Sequence, residues 1–205
     1  MRRLVFPLIL VLAGPAFAQD ASPPSQPAIA APVMGPRILI ATSMGDITLE
    51  LDPVRAPLTS ANFLRYVKEG HFDGTVVYRV VPGFVVQAGS WDANVHARPV
   101  HAPIALEANN GLLNARGAVA MARDTPNSAT AEFFIDLADN PSLDHQASDS
   151  ANSTGFAVFA HVVNGMDVVD KIATVPLGDN GPMKGQAPID PITIGKVTLL
   201  PSPPP

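Results

Sequence analysis

Cysteine is absent from all 205 residues. That excludes a disulfide scaffold, a thiolate zinc site, a cysteine nucleophile and a lipidated cysteine anchor together. Charge is scarce as well: Asp, Glu, Lys and Arg make up 15% of the chain, and the net charge is −5 at pH 7. An acidic chain lacks the basic face that nucleic-acid binding needs, so no nucleic-acid partner is expected. No apolar run reaches the ~20 residues of a spanning helix, so no membrane span is expected. Several catalytic patterns are missing too. The five histidines (His71, His96, His101, His145, His161) form no H-E-x-x-H or comparable ligand spacing. There is no G-x-S-x-G, no G-x-G-x-x-G and no phosphate loop. Neither a metal nor a cofactor is expected.

What remains is an apolar chain of one-domain length. The residues AVILMFWYC make up 47%, and mean hydropathy is +0.21, which excludes a wholly disordered polymer. Proline is concentrated at the ends. Arg2 and Arg3 precede the apolar stretch Leu4–Leu12, and Ala16-Phe17-Ala18 fits a small-x-small cleavage pattern. Residues 1–18 therefore read as a secretory signal peptide, and the expected destination is the periplasm. Residues 19–36 are rich in Pro and Ala without periodicity and read as a linker; residues 201–205 read as a Pro-rich tail.

The body, residues 37–200, is dominated by short β-type runs. Candidates are Ile38–Thr42, Ile47–Leu51, Val76–Val81, Phe84–Gln87, Ala118–Ala122, Phe133–Leu137, Ala157–Val163 and Ile192–Leu200. Ser43-Met44-Gly45-Asp46 predicts a hairpin between the first two. Ala61–Lys68 predicts a helix, with Thr59 or Ser60 as its cap and Gly70 as its stop; Asp167–Thr174 predicts a second. Strands outnumber helices and do not alternate with them, which argues against a parallel α/β sheet. An antiparallel barrel closed at its ends by two helices fits, because closure removes exposed strand edges.

The segment YRVVPGFVVQAG (78–89) resembles the signature of cyclophilins, the peptidyl-prolyl cis–trans isomerases. The resemblance continues through NFLRYVKEGHFDGT (62–75), NGLLNARGAVAMAR (110–123), SATAEFFIDLADN (128–140), SLDH (142–145) and FAVFAHVVNGMDVVDKI (156–172). Within the family the chain is most similar to the exported bacterial branch. The resemblance implies a mainly β fold, a closed eight-stranded antiparallel barrel capped by two α-helices. It implies an enzyme that accelerates X–Pro rotation during folding of exported proteins. Its partners would be unfolded or partly folded proline-containing polypeptides. The alternative is a proline-binding chaperone or interaction module with little turnover.

The chemistry of such a reaction can be set against the residues. Peptide-bond rotation faces a barrier of ~18–20 kcal/mol, and X–Pro exchange unaided takes tens to hundreds of seconds. Reaching milliseconds removes at least about 5–6 kcal/mol. At the twisted midpoint the prolyl nitrogen regains a lone pair, and a permanently protonated donor aimed at it stabilises that state. Arg79, set among Val77, Val80, Val81 and Phe84, is either such a donor or a solvent-facing strand residue; the resemblance assigns it the catalytic role. The resemblance also supplies an apolar cup for the proline ring: Phe84, Val85, Met121, Phe134 and Leu143, with Gln87 and Ala122 in the adjoining groove. Strand alternation puts Val85 with Gln87, and Glu132 with Phe134 and Asp136. It leaves open which face is the core; the resemblance turns Phe133 inward and Phe134 to the site.

Three positions depart from the family pattern. Glu132 stands where Gln is usual, and if ionised it is placed to pair with Arg79 or to accept substrate hydrogen bonds. Ser142 stands where an aromatic is common, so weak cyclosporin binding is expected. Phe156 stands where His or Tyr is common and is assigned to substrate positioning. The polar stretch Gln146–Gly155 reads as a surface loop or as a further substrate contact. Nothing demands an oligomer, so a monomer is expected.

Overall fold

A computed structural model of the chain describes residues 35–146 and 154–201. Residues 1–34, which hold the expected signal peptide and most of the expected linker, residues 202–205 and residues 147–153 of the polar loop lie outside the described residues. Eight antiparallel strands close into a barrel. They are β1 (Arg37–Thr42), β2 (Gly45–Leu51), β3 (Thr75–Val81), β4 (Val85–Asp92), β5 (Ala118–Met121), β6 (Phe133–Asp136), β7 (Val158–Asn164) and β10 (Ile192–Leu199), in the order β1-β10-β3-β4-β6-β5-β7-β2. Helices α1 (Pro57–Lys68) and α2 (Met166–Ile172) pack on the barrel, and a two-stranded ribbon, β8 (Leu177–Gly178) with β9 (Ala187–Pro188), lies beside it.

The interior follows from alternation. Ile38 and Ile40, Ile47 and Leu49, Val86 and Ala88, Val119 and Met121, and Phe133 and Ile135 are spaced two apart and point inward. One end of this core is closed by a group of aromatic rings: Phe63 of α1 lies 5.0 Å from Phe72, 5.4 Å from Phe133 and 5.1 Å from Phe159 between centroids.

Helix α1 begins four residues before its expected start. Its N-cap is Ala56, which has no side-chain cap, and Pro57 occupies the first turn, where its missing N–H costs nothing. Thr59 and Ser60 are buried inside the helix rather than capping it. The carboxylate of Glu107 takes the cap's place, accepting from the Leu58 amide (3.0 Å), the Thr59 amide (2.8 Å) and the Thr59 hydroxyl (2.7 Å). Gly70 ends the helix region with φ +66, as its position in the sequence predicts.

One irregularity sets up the site. Val77 pairs with Ala88 and Arg79 with Gln87, so three residues of β3 span two of β4. This bulge lets Val77 and Val80, three apart, both point into the core. Tyr78 and Arg79 between them both border the cleft outside the barrel.

Candidate active site

The outer faces of β4, β5, β6 and β7 carry a second apolar cluster, separate from the interior. Val85, Ala118, Ala120, Phe134 and Val158 are buried there, with Phe84, Leu112, Ala122, Leu143 and Phe156 packed against them. Above this cluster opens a cleft of about 380 Å³. Phe84, Val85, Phe134, Leu143 and Phe156 line its apolar end; Arg79, Gln87, Ala122 and Glu132 also border it. Leu143 is delivered by a single 3₁₀ turn, Pro141–Leu143, and its carbonyl accepts from the Phe156 amide at 2.9 Å. The Phe134 and Phe156 rings meet edge to face, 5.5 Å apart.

Met121 is the exception among the nine expected cleft-binding residues besides Arg79. It is 1% exposed and belongs to the barrel interior. Alternation turns Ala120 to the outer apolar cluster, Ala122 just past β5 to the cleft and Met121 inward, so Met121 supports the wall from behind.

Arg79 is held by neutral acceptors. Its Nε donates to Gln186 Oε1 at 2.6 Å and its Nη1 to Gln87 Oε1 at 3.0 Å. Gln87 in turn donates from Nε2 to the Tyr78 hydroxyl. Among the described residues no carboxylate forms an ion pair with Arg79. The guanidinium therefore keeps its full charge and has N–H groups left over from the two amide contacts.

The pairing of Glu132 with Arg79 does not occur. Glu132 Oε1 accepts from the Ser90 amide at 2.8 Å. The carboxylate lies against Gly89, where a Cβ would come within 2.4 Å of Oε2. Only glycine leaves that space. Burial raises the Glu132 pKa, opposed by the Ser90 amide. Burial first, and then the nearby Glu132 carboxylate, raises the pKa of the Tyr78 phenol.

Sequence reasoning missed Tyr78, Arg123 and Gln186. Tyr78 adjoins Arg79, and regular alternation would have sent it the other way; only the bulge brings both to the cleft. Arg123 follows Ala122 directly. Its guanidinium carbon lies 4.7 Å above the Phe156 ring, and it donates to the Gly155 carbonyl at 2.9 and 2.6 Å and to the Thr154 hydroxyl at 2.8 Å. Gln186 lies 107 positions from Arg79 in a segment with no motif. Ser142 is exposed and adds no large surface to the rim.

The family model described as cyclophilin type peptidyl-prolyl cis-trans isomerase/CLD matches residues 37–199. A peptidyl-prolyl cis-trans isomerase A of Dickeya dadantii is 39% identical over 200 residues, covering 97% of this chain and 98% of that protein. A peptidyl-prolyl cis-trans isomerase of Acinetobacter baylyi is 44% identical over 159 residues, covering 77% of this chain and 82% of that protein. Among solved structures, a cyclophilin-type isomerase of Cryptosporidium parvum has a TM-score of 0.67 at 22% identity, covering 82% of this chain and 99% of that one, which speaks to the fold alone. With the barrel, the cleft and these matches together, the chain belongs to the cyclophilin-type peptidyl-prolyl cis–trans isomerase family and is an enzyme of that family.

Proposed function

We propose that the cleft turns X–Pro bonds by a hydrogen bond from Arg79 to the prolyl nitrogen at the twisted midpoint, with the ring held by Phe84, Val85, Phe134 and Leu143. The observation that carries this reading is the way Arg79 is held. Two amide oxygens fix its orientation without neutralising it. A planar imide nitrogen offers no lone pair, so the donor is of little use to either ground state and of full use to the twisted one. No bond is made or broken, so no nucleophile is required. Gln87 stands opposite Arg79 in the β3–β4 register and orients it. Phe156 and Arg123 form the wall next to Leu143 and position the substrate chain rather than act on the nitrogen. Glu132, turned towards Ser90, leaves the guanidinium free, which favours an enzyme over a proline-binding module of little turnover.

The clients we propose are proline-containing segments of exported polypeptides in the periplasm. The signal-like residues 1–18 support this, since slow X–Pro exchange limits folding wherever clients refold. We also propose that the protein acts as a monomer and binds cyclosporin weakly, because Ser142 offers little contact surface.

The test is an exchange assay on a short X–Pro peptide. Arg79→Ala should lower kcat by about 10²–10³-fold, the ordinary cost of removing one preorganised donor, with the fold intact by circular dichroism. A folded variant that keeps most of its activity overturns the assignment of Arg79.

A further inference from the structure

Behind the apolar end of the cleft lies a carboxyl group that the reaction does not use. Asp136 ends β6, two residues after Phe134 and on the same face, and it is 0% exposed. Its Oδ1 accepts from Asn140 Nδ2 at 2.7 Å, while its Oδ2 is buried with no hydrogen-bond partner among the described residues. The same Asn140 Nδ2 donates to the Phe84 carbonyl at 3.1 Å. The Asn140 carbonyl accepts from the Leu143 amide at 2.9 Å. Asp136 thus sits at the junction of the two walls that carry Phe84 and Leu143.

An ionised group in this place would leave a buried charge with one oxygen unpaired, a costly arrangement. Among the described residues nothing around it supplies a counter-charge. In its own loop the neighbouring charges are Asp139 and Asp144, both acidic. From β4 it meets Val85 across the ladder, and from the start of β5 the Gly117 amide, which donates to its backbone carbonyl. The nearby cation, Arg116, is held by the Leu137 carbonyl (2.7 Å) and by Asp170 (2.8 Å). Asn114 gives its amide N–H groups to Asp144. His145 is exposed, with Nδ1 at the Thr154 carbonyl. Burial, opposed by Asn140 and reinforced by Asp144 and then Asp139, pushes the Asp136 carboxyl up to about 7.

We infer that Asp136 is a positioning residue for the proline cup: while neutral it stays buried behind the cup, and the Asn140 side chain that joins it to the Phe84 and Leu143 walls keeps them closed around the ring. Losing the proton strengthens the single Asn140 bond but leaves a charge buried on a group whose burial cost is larger, so the carboxylate is drawn towards water and both walls loosen. The inference rests on the reading of the cleft given above, and it places the effect in substrate affinity rather than in the rotation step.

The experiment is an X–Pro exchange assay on the full chain between pH 5.5 and 8.5, with Asp136→Asn beside the native protein. KM should rise about fivefold across the range in the native protein, the low end of ordinary coupling between two sites, with kcat unchanged. In Asp136→Asn it should stay flat. A flat native profile, or the same rise in the variant, overturns the inference. Absence of turnover at every pH overturns instead the reading of the cleft. Should the variant fail to fold, a carboxyl-carbon NMR titration of the native protein decides. Saturating X–Pro peptide should raise the Asp136 midpoint by about 0.7 pH unit, the same fivefold read from the other side of the linkage. An unmoved midpoint overturns it.

Discussion

The two ends of the cleft are built on opposite principles. At one end a cation is oriented by amides: Arg79 by Gln87 and Gln186, with Gln87 steadied by Tyr78. At the other end apolar walls meet, and the group behind them is an acid with an unsatisfied oxygen. The first end orients a cation through neutral oxygens alone. The second accommodates a neutral group better than a charged one. Orientation of a donor acts on the barrier, and the fit of an apolar cup acts on binding. Substitutions at the two ends should therefore separate into effects on kcat and effects on KM.

The largest effect on turnover should come from Arg79→Lys. A lysine keeps the charge but has no planar fork to meet two amide oxygens at once. kcat is expected to fall by about 10²-fold with KM little changed; near-native kcat in the exchange assay would mean that charge alone suffices. Next comes the stability of Asp136→Asn. The native carboxyl titrates near 7 in the fold against 3.8 in the open chain. Below about pH 4 both states hold the proton and the group contributes nothing. Between about 4 and 7 only the unfolded chain has released it, so native stability falls as pH rises and then levels off. Asp136→Asn should match the native protein near pH 3 and exceed it by about 4 kcal/mol at pH 8 in urea unfolding. Equal stability at both pH values would show that the carboxyl is not strained.

Leu143→Ala should raise KM about tenfold, the loss of roughly 1.4 kcal/mol of apolar contact with the ring, and leave kcat within error. A fall in kcat would erase the contrast between the ends. The smallest effect belongs to Glu132→Gln. A glutamine oxygen can accept from Ser90 as the carboxylate does, and Arg79 never depended on the charge. Activity is expected to change by less than about twofold, and a large loss in the same assay would give Glu132 a role in substrate binding.

Much of the architecture could be read from local pattern. Short β-type runs mark all eight barrel strands, and Phe63 and Val67 mark one helix face. The start of α1 was misplaced because its cap comes from Glu107, 48 positions along the chain from Thr59, and no local rule reports a partner that distant. The ribbon β8–β9 was missed because two-residue strands carry no periodicity. In the site, alternation grouped Phe134 with Glu132 and Val85 with Gln87 but could not say which face was inside. Met121 was assigned to the cup by resemblance, and the barrel turns it inward.

Residue types and their spacing along the chain thus determined the strand set, the helices and the family, since each depends on interactions within a few positions. Only the closed barrel decided which face became cleft, that a bulge brings Tyr78 to the same side as Arg79, that Gln186 reaches the guanidinium, and that Asp136 is shut away from water. The physical reason is that burial and hydrogen-bond partners belong to neighbours in space, and closing the sheet is what creates them.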